Sequence, residues 1–189
     1  MRKLLLIWIL FICGLPISCT RKVASDVFDR VVVYMEIYPD SALLLLNQIS
    51  HPENLRGKQR ADYALLLTQA RDKNYLDSLQ SDSLIEFAVD FYRDSNDRIR
   101  AGKALFYYGK VAALQKDEKV AMQSFLDAQE KLENTNEHRL KALIQEYIGY
   151  LNEDRKMYDM ALENYRRSVD YYRGASDSLG IAYIYRNLA

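Results

Sequence analysis

The chain contains few residues that interrupt helices. Of its 189 residues only three are proline, all within the first 52, and only seven are glycine. Proline removes a backbone donor and disrupts helices, so its absence from residues 53–189 predicts one helix after another. No stretch alternates apolar and polar residues for long enough to predict a β-sheet.

Cysteine and histidine are equally scarce, which leaves little material for a redox or metal centre. Cys13 lies in an apolar leader, so Cys19 is the one cysteine left after its removal and no intramolecular disulfide is expected. His51 and His138 have no second ligand at helical spacing, so we predict no metal site and no cofactor. The chain also lacks a GxSxG motif, a glycine-rich phosphate loop and a CxxC pair, so we predict that it is not an enzyme.

Charge of neither sign is in excess, because 26 basic residues balance 26 acidic ones. A domain that binds nucleic acid normally carries a basic excess, so we predict no nucleic-acid contact. Hydrophobic residues make up 49% of the chain and charged residues 28%. That balance indicates a folded domain or a stack of repeats rather than a disordered chain.

Residues 1–18 have the pattern of a secretory signal peptide. Two basic residues precede an apolar run that is shorter than the roughly 20 residues of a membrane-spanning helix. The small residue Ser18 followed by Cys19 resembles the lipobox of bacterial lipoproteins, in which the cysteine is acylated. That resemblance implies a lipid anchor on Cys19, a tether over residues 19–24, and an exported protein facing the periplasm or the cell surface. Cleavage as an ordinary signal peptide near Ser18 is the alternative.

A period of 40 residues runs through the second half of the chain. The series Gly109, Ala121, Phe125 and Ala128 returns 40 residues later as Gly149, Ala161, Tyr165 and Ser168. Small residues let two antiparallel helices approach closely, and an aromatic ring fills the space beside the contact. We therefore expect Gly109 to lie against Ala121 in a helix pair, and the pairs to stack as repeats.

Residues that lie 40 positions apart occupy the same column of the repeat. The four columns given above resemble the tetratricopeptide (TPR) pattern, which has a small residue late in helix A, then an alanine, an aromatic and another small residue in helix B. The upstream order of the segments PDSAL, ALLLTQAR and DSLI also resembles TPR lipoproteins and sensors of the Bacteroidetes. The resemblance implies an all-α fold, a right-handed superhelical solenoid of antiparallel helix pairs with repeats of about 40 residues.

The predicted repeats divide the chain into segments. Degenerate TPR-like helices are predicted over residues 25–95, TPR-like repeats over 96–135 and 136–175, and an incomplete repeat with helix A alone over 176–189. The predicted helices are Ala24–Tyr38, Asp40–Ser50, Glu53–Asp72, Ser83–Arg93, Asn96–Gln115, Glu118–Leu132, Asn136–Glu153, Tyr158–Arg173 and a helix from Asp177 to the end. In the last helix, Ile181, Ile184, Tyr185 and Leu188 lack a covering helix B, so we expect bare apolar residues and either the N-terminal part of a longer protein or a truncated reading frame. The alternative is that this helix packs on its neighbour and leaves a small exposed patch.

TPR solenoids bind ligands in a concave groove lined by their A helices. The columns that face this groove in relatives hold Lys103, Phe106, Lys110, Glu146, Tyr150, Glu153 and Arg186. The resemblance thus implies a non-catalytic scaffold that binds a protein or peptide and is held at a membrane by its lipid anchor. One alternative is the extracytoplasmic sensory input module of a longer signalling or transcriptional regulator, truncated at Ala189. Another is an outer-membrane lipoprotein that captures glycans.

Overall fold

The computed structural model describes residues 17–188 and, among them, the side chains of residues 26–186 and 188. The helices are α1 (Ile17–Tyr34), α2 (Pro39–Asn47), α3 (Gly57–Lys73), α4 (Asp82–Tyr92), α5 (Arg98–Leu114), α6 (Glu118–Leu132), α7 (His138–Asp154), α8 (Tyr158–Gly174) and α9 (Ser178–Asn187). No strand occurs between residues 17 and 188, and the predicted all-α class is confirmed. The predicted signal peptide falls mostly on residues 1–16, which lie outside the described residues, as does the side chain of Cys19.

Residues up to Tyr75 form one compact unit, in which α1 packs on α2 and α3, and α2 packs on α3. The amide of Asn74 donates to the carbonyl of Pro39 at 2.9 Å, which joins the end of α3 to the start of α2. None of the helices in residues 17–188 is both long and apolar enough to cross a membrane.

All three helices of this unit differ from their predicted bounds. The first begins at Ile17 rather than Ala24 and so includes residues 19–24, predicted as a tether, and the second covers Pro39–Asn47 rather than Asp40–Ser50. The first ends at Tyr34 rather than Tyr38. Residues 35–37 form a turn, and Tyr38 has a non-helical φ of −133°, as the residue before a proline avoids helical backbone angles. The third begins at Gly57 rather than Glu53. A short 3-10 turn over Pro52–Asn54 precedes it, entered through His51 in the left-handed region with φ of 56°.

Residues from Leu76 onward form the second compact unit, which contains α4 to α9. The pairs α5–α6 and α7–α8 make the most extensive contacts, and each helix of the unit packs on its neighbours in sequence. The predicted bounds of α5 to α8 agree with the structure to within two residues. The predicted segment 25–95 contains both α3 and α4. In the structure α4 packs on α5, and α3 belongs to the first unit.

The 40-residue period extends to the backbone of the turns. Lys116 and Lys156 both adopt left-handed angles, with φ of 64° and 61°, where α5 and α7 end. Asp117 N donates to Ala112 O at 2.9 Å, and Met157 N donates to Asn152 O at 2.8 Å. This hydrogen bond across a left-handed residue closes the end of a helix and reverses the chain into the next one. The two hairpins therefore turn in the same way.

Glycine makes room for an aromatic ring at the centre of each hairpin. A Cβ added to Gly109 would lie 2.6 Å from the Phe125 ring, and one added to Gly149 would lie 2.5 Å from the Tyr165 ring. The atoms nearest to these positions belong to the rings, so each glycine lies against an aromatic ring of helix B. The approach of Gly109 to Ala121 stays a prediction. All the predicted packing residues are buried, namely Gly109, Ala121, Phe125, Ala128, Gly149, Ala161, Tyr165 and Ser168.

The last helix is partly covered by α8. Ile184 is 0% exposed and packs in a cluster with Val169 and Tyr172, so the prediction that it lies bare is wrong. Ile181 is partly buried against the same cluster. Tyr185 and Leu188 are exposed, as expected from the sequence.

Candidate functional site

A continuous series of cation and ring contacts joins α5, α7 and α9. Lys110 Nζ lies 4.8 Å from the centroid of the Tyr147 ring. The ring centroids of Tyr147 and Tyr150 are 5.8 Å apart, and Tyr150 Oη lies 3.3 Å from Tyr183 Oη. We name this surface the A-helix face and define it as Lys103, Lys110, Tyr147, Tyr150, Glu153 and Tyr183, all at least partly exposed.

Helical spacing and the repeat together place these side chains side by side. Tyr147 and Tyr150 are three residues apart, and residues at that spacing share one side of a helix. Lys110 occupies in α5 the column that Tyr150 occupies in α7. A cation over a ring contributes about 0.5–1 kcal/mol at an exposed site, so the lysine and the rings hold one another in place.

A buried carboxylate lies behind the tyrosines. Glu146 is 5% exposed and accepts hydrogen bonds from Tyr150 Oη at 2.9 Å and from Tyr172 Oη at 3.0 Å. Burial raises the pKa of Glu146 above its usual range, while the two tyrosine hydrogen bonds and Lys110 act in the opposite direction. Burial, together with Tyr183 and Glu146, also raises the pKa of Tyr150, so its hydroxyl stays protonated. Glu146 thus orients the Tyr150 ring from below.

Two of the predicted groove residues are not available to a ligand. Phe106 is 1% exposed, with its ring centroid 5.9 Å from that of Phe125 in α6. Glu146 occupies the same column and is covered by Tyr172 of α8. The prediction that these two residues line the groove is therefore wrong, because helix B of each repeat packs over this column. Arg186 lies in that column too but is exposed, with its guanidinium 4.7 Å from the centroid of the Tyr183 ring.

Comparison with solved structures shows which fold these helix pairs form. A structure of MamA AMB-1 has a TM-score of 0.53 and 16% sequence identity, covering 87% of this chain and 88% of that chain. A MamA mutant gives a TM-score of 0.52 and 15% identity, covering 87% of this chain and 82% of that chain. The fold is of the TPR type. At this identity the likeness concerns the fold alone. No family model and no curated protein matches the sequence.

Sequence reasoning missed two residues of the TPR-type A-helix face, Tyr147 and Tyr183. The column of Tyr147 holds the buried Tyr107 in the preceding repeat, so the period indicates packing rather than a surface role. The column of Tyr183 holds Lys103, a predicted groove residue, and Leu143, so the 40-residue period points to this position although it holds no aromatic residue in the earlier repeats. The contacts of both rings with Tyr150 place them on the face.

The remaining groove residues of this TPR-type fold lie at the surface and carry mixed charge. Lys103 Nζ is 4.0 Å from Glu137 Oε2, and Glu153 Oε2 accepts a hydrogen bond from Tyr165 at 2.6 Å. Within residues 17–188, no three His, Cys, Asp or Glu side chains come close enough to hold a metal ion. The arrangement offers aromatic contact area and polar groups at the surface.

Proposed function

We propose that this chain is a non-catalytic scaffold of the TPR type that binds a protein or peptide through the A-helix face. The observation that carries the proposal is the contact series from Lys110 through Tyr147 and Tyr150 to Tyr183, which joins three successive A helices. Tyrosine supplies a large, amphipathic contact area at a low cost in side-chain entropy, and it is enriched where proteins bind one another.

Preorganisation supports the same proposal. Tyr150 is held by Glu146 below it and lies within hydrogen-bond distance of Tyr183 beside it. A side chain fixed before binding loses little rotamer freedom when the partner arrives, and this saves about 0.5–1.5 kcal/mol for each such side chain. Lys110 lies over the Tyr147 ring, and Lys103 and Glu153, on the same two helices, add charges of both signs at the surface. A partner segment with apolar and charged residues therefore fits this face.

A displayed library of random peptides tests this proposal. We expect peptides selected on the whole chain to bind Tyr150→Ala and Tyr183→Ala variants about 10–30-fold more weakly, which is the loss of 1.4–2 kcal/mol per central aromatic residue. Lys110→Gln should weaken the binding of these peptides by a smaller factor. Affinity is measured by fluorescence anisotropy, and circular dichroism checks that each variant is folded.

Tyr158→Ala is the matched control, because Tyr158 is an exposed tyrosine of α8 and lies outside the A-helix face. This variant should bind the selected peptides as tightly as the parent chain. If the selected peptides bound the parent chain and all the A-helix variants with equal affinity, they would be binding elsewhere, and the proposal would fail.

We further propose that the chain is exported and anchored to a membrane through lipid on Cys19. The support is the basic start, the short apolar run and the Ser18–Cys19 pair in the sequence. In a Gram-negative host supplied with an alkyne-tagged palmitate, the full chain should incorporate the label and sediment with membranes. Cys19→Ser should lose the label, while Cys13→Ser, altered within the leader, should keep it. Retention of the label in Cys19→Ser would contradict the anchor.

A further inference from the structure

The segment between α3 and α4, residues 74–81, carries an aromatic side chain that lies in solvent. Tyr75 is 90% exposed. Its backbone is in the left-handed region, with φ of 57°, which is unfavourable for a residue with a bulky side chain. The first compact unit ends at Tyr75 and the second begins at Leu76. Exposed segments at the boundary of compact units are where proteases cut folded chains most readily.

Tyr75 differs from the other exposed tyrosine and phenylalanine side chains in the described part of the chain. Four of them lie within α-helices, namely Phe91, Tyr158, Tyr183 and Tyr185. Tyr38 lies outside the helices, but Pro39 follows it. A protease holds its substrate in an extended form through backbone hydrogen bonds, which a helix has already used and for which proline lacks the N–H. Tyr75 has neither obstacle, because it lies outside the helices and Leu76 follows it.

The segment is held in part by short-range hydrogen bonds. Leu79 N donates to Leu76 O at 3.0 Å, and Gln80 N donates to Asp77 O at 3.1 Å. Each of these bonds closes a single turn inside the segment and belongs to neither of the flanking α-helices. Local opening of such a segment costs less free energy than unfolding a packed helix pair, and a protease acts on the state that opens most easily.

We propose that the Tyr75–Leu76 peptide bond is a cleavage site for an endoprotease whose specificity pocket takes a large aromatic side chain. Hydrolysis breaks the bond between the Tyr75 carbonyl carbon and the Leu76 nitrogen. Water supplies the hydroxyl that Tyr75 gains and the hydrogen that Leu76 gains. The cut lies between Cys19 and the A-helix face, so it removes the covalent link from the face to the lipid anchor. That consequence rests on the proposed function, whereas the cleavage itself does not.

Limited digestion with chymotrypsin, whose pocket is an apolar slot, tests the inference on the full folded chain. Intact-mass spectrometry follows the fragments over time at a low ratio of enzyme to chain. Of the cuts within residues 26–188, the one that yields a fragment beginning at Leu76 should come first. Tyr75→Ser removes the side chain that fills the pocket and should slow this cut at least about 10-fold.

Tyr158→Ser is the matched control, because it makes the same change at a tyrosine that is 63% exposed but helical. It should leave the rate of the cut after Tyr75 unchanged. Tyr172→Phe tests whether the opening is local, since it removes a buried hydrogen bond to Glu146 within the second unit. If the segment opens by itself, this variant should be cut within about two-fold of the parent rate.

Three results would overturn the inference. They are an earlier cut after one of the helical tyrosines, an undiminished rate in Tyr75→Ser, and a several-fold faster cut in Tyr172→Phe, which would mean that the second unit unfolds first. The proposed binding and anchoring are tested with selected peptides and labelled palmitate, so their failure would leave the digestion result unchanged. A chain that binds peptides and incorporates the label but resists cleavage after Tyr75 would contradict this inference alone.

Discussion

Replacing Phe125 with alanine is expected to lower the free energy of unfolding by about 3–5 kcal/mol. The ring is 0% exposed, lies 5.9 Å from Phe106 and 5.6 Å from Tyr147 between centroids, and fills the space above Gly109. Its removal leaves a cavity where two A helices and one B helix meet. Urea unfolding followed by circular dichroism measures the loss.

Gly109 provides the second half of this test, because its missing Cβ makes room for the ring. Gly109→Ala places a methyl group 2.6 Å from a rigid ring, which costs about 1–3 kcal/mol, against a gain of about 1 kcal/mol from helix propensity. In a Phe125→Leu background we expect the same substitution to become neutral or stabilising. Such a sign change in a double-mutant cycle identifies a direct contact.

Gly174→Ala is the control for this cycle. A Cβ there would approach the His138 side chain at 3.1 Å, and that side chain can move. Its effect should be small and independent of residue 125. If Gly109→Ala cost the same with and without the Phe125 ring, the glycine–ring contact would not explain why glycine is needed at this position.

Glu146→Ala is expected to lower the free energy of unfolding by about 2–4 kcal/mol at neutral pH. The carboxylate accepts hydrogen bonds from Tyr150 and from the buried Tyr172, and its loss leaves both hydroxyls without this acceptor. Tyr172→Phe removes a single hydroxyl donor and keeps the ring, so it should cost about 1–2 kcal/mol. Urea unfolding curves compare the two variants. An equal cost would show that the carboxylate contributes no more than one hydrogen bond.

The same residue predicts how stability depends on pH. Because burial raises the pKa of Glu146 above its ordinary value of 4.5, the folded chain holds this proton more tightly than the unfolded chain does. The contribution of Glu146 to stability therefore falls as the pH rises from 4.5 towards the raised pKa, and it is constant above that.

Unfolding measured from about pH 4 to pH 8 checks this sign. Glu146→Gln cannot ionise, so its stability should lack the part of the decline that the parent chain shows. Tyr172→Phe removes a hydrogen bond that lowers the pKa of Glu146, so its decline should extend to higher pH. Parallel curves for the parent chain and Glu146→Gln would contradict a raised pKa at this site.

Much of the fold follows from local features of the sequence. The proline-free segment predicts consecutive helices, and α6 begins and ends at the predicted residues Glu118 and Leu132. The period of 40 predicts both hairpins of the second unit, because small residues at fixed intervals determine where two helices can approach. The period does not specify which atoms fill the space at Gly109, since an alanine and a ring are both compatible with the same spacing.

The candidate site could be predicted only in part. Lys110 and Tyr150 lie at the surface as the repeat columns predict, whereas Phe106 and Glu146 are buried beneath helix B of their own hairpins. Tyr183 joins the site through a contact with Tyr150, 33 residues away in the chain. Such contacts depend on the packing of three helices, and no local pattern records them.

The amino-acid sequence by itself determined that this protein is a series of helices paired through small and aromatic residues, because helix formation and close approach depend on residue type and spacing. The tertiary structure decided which side chains a partner can reach. Exposure depends on which helix covers a given side, so one column is buried at Phe106 and Glu146 and open at Arg186. The proposed function of the A-helix face rests on the side chains that stay exposed beside this column.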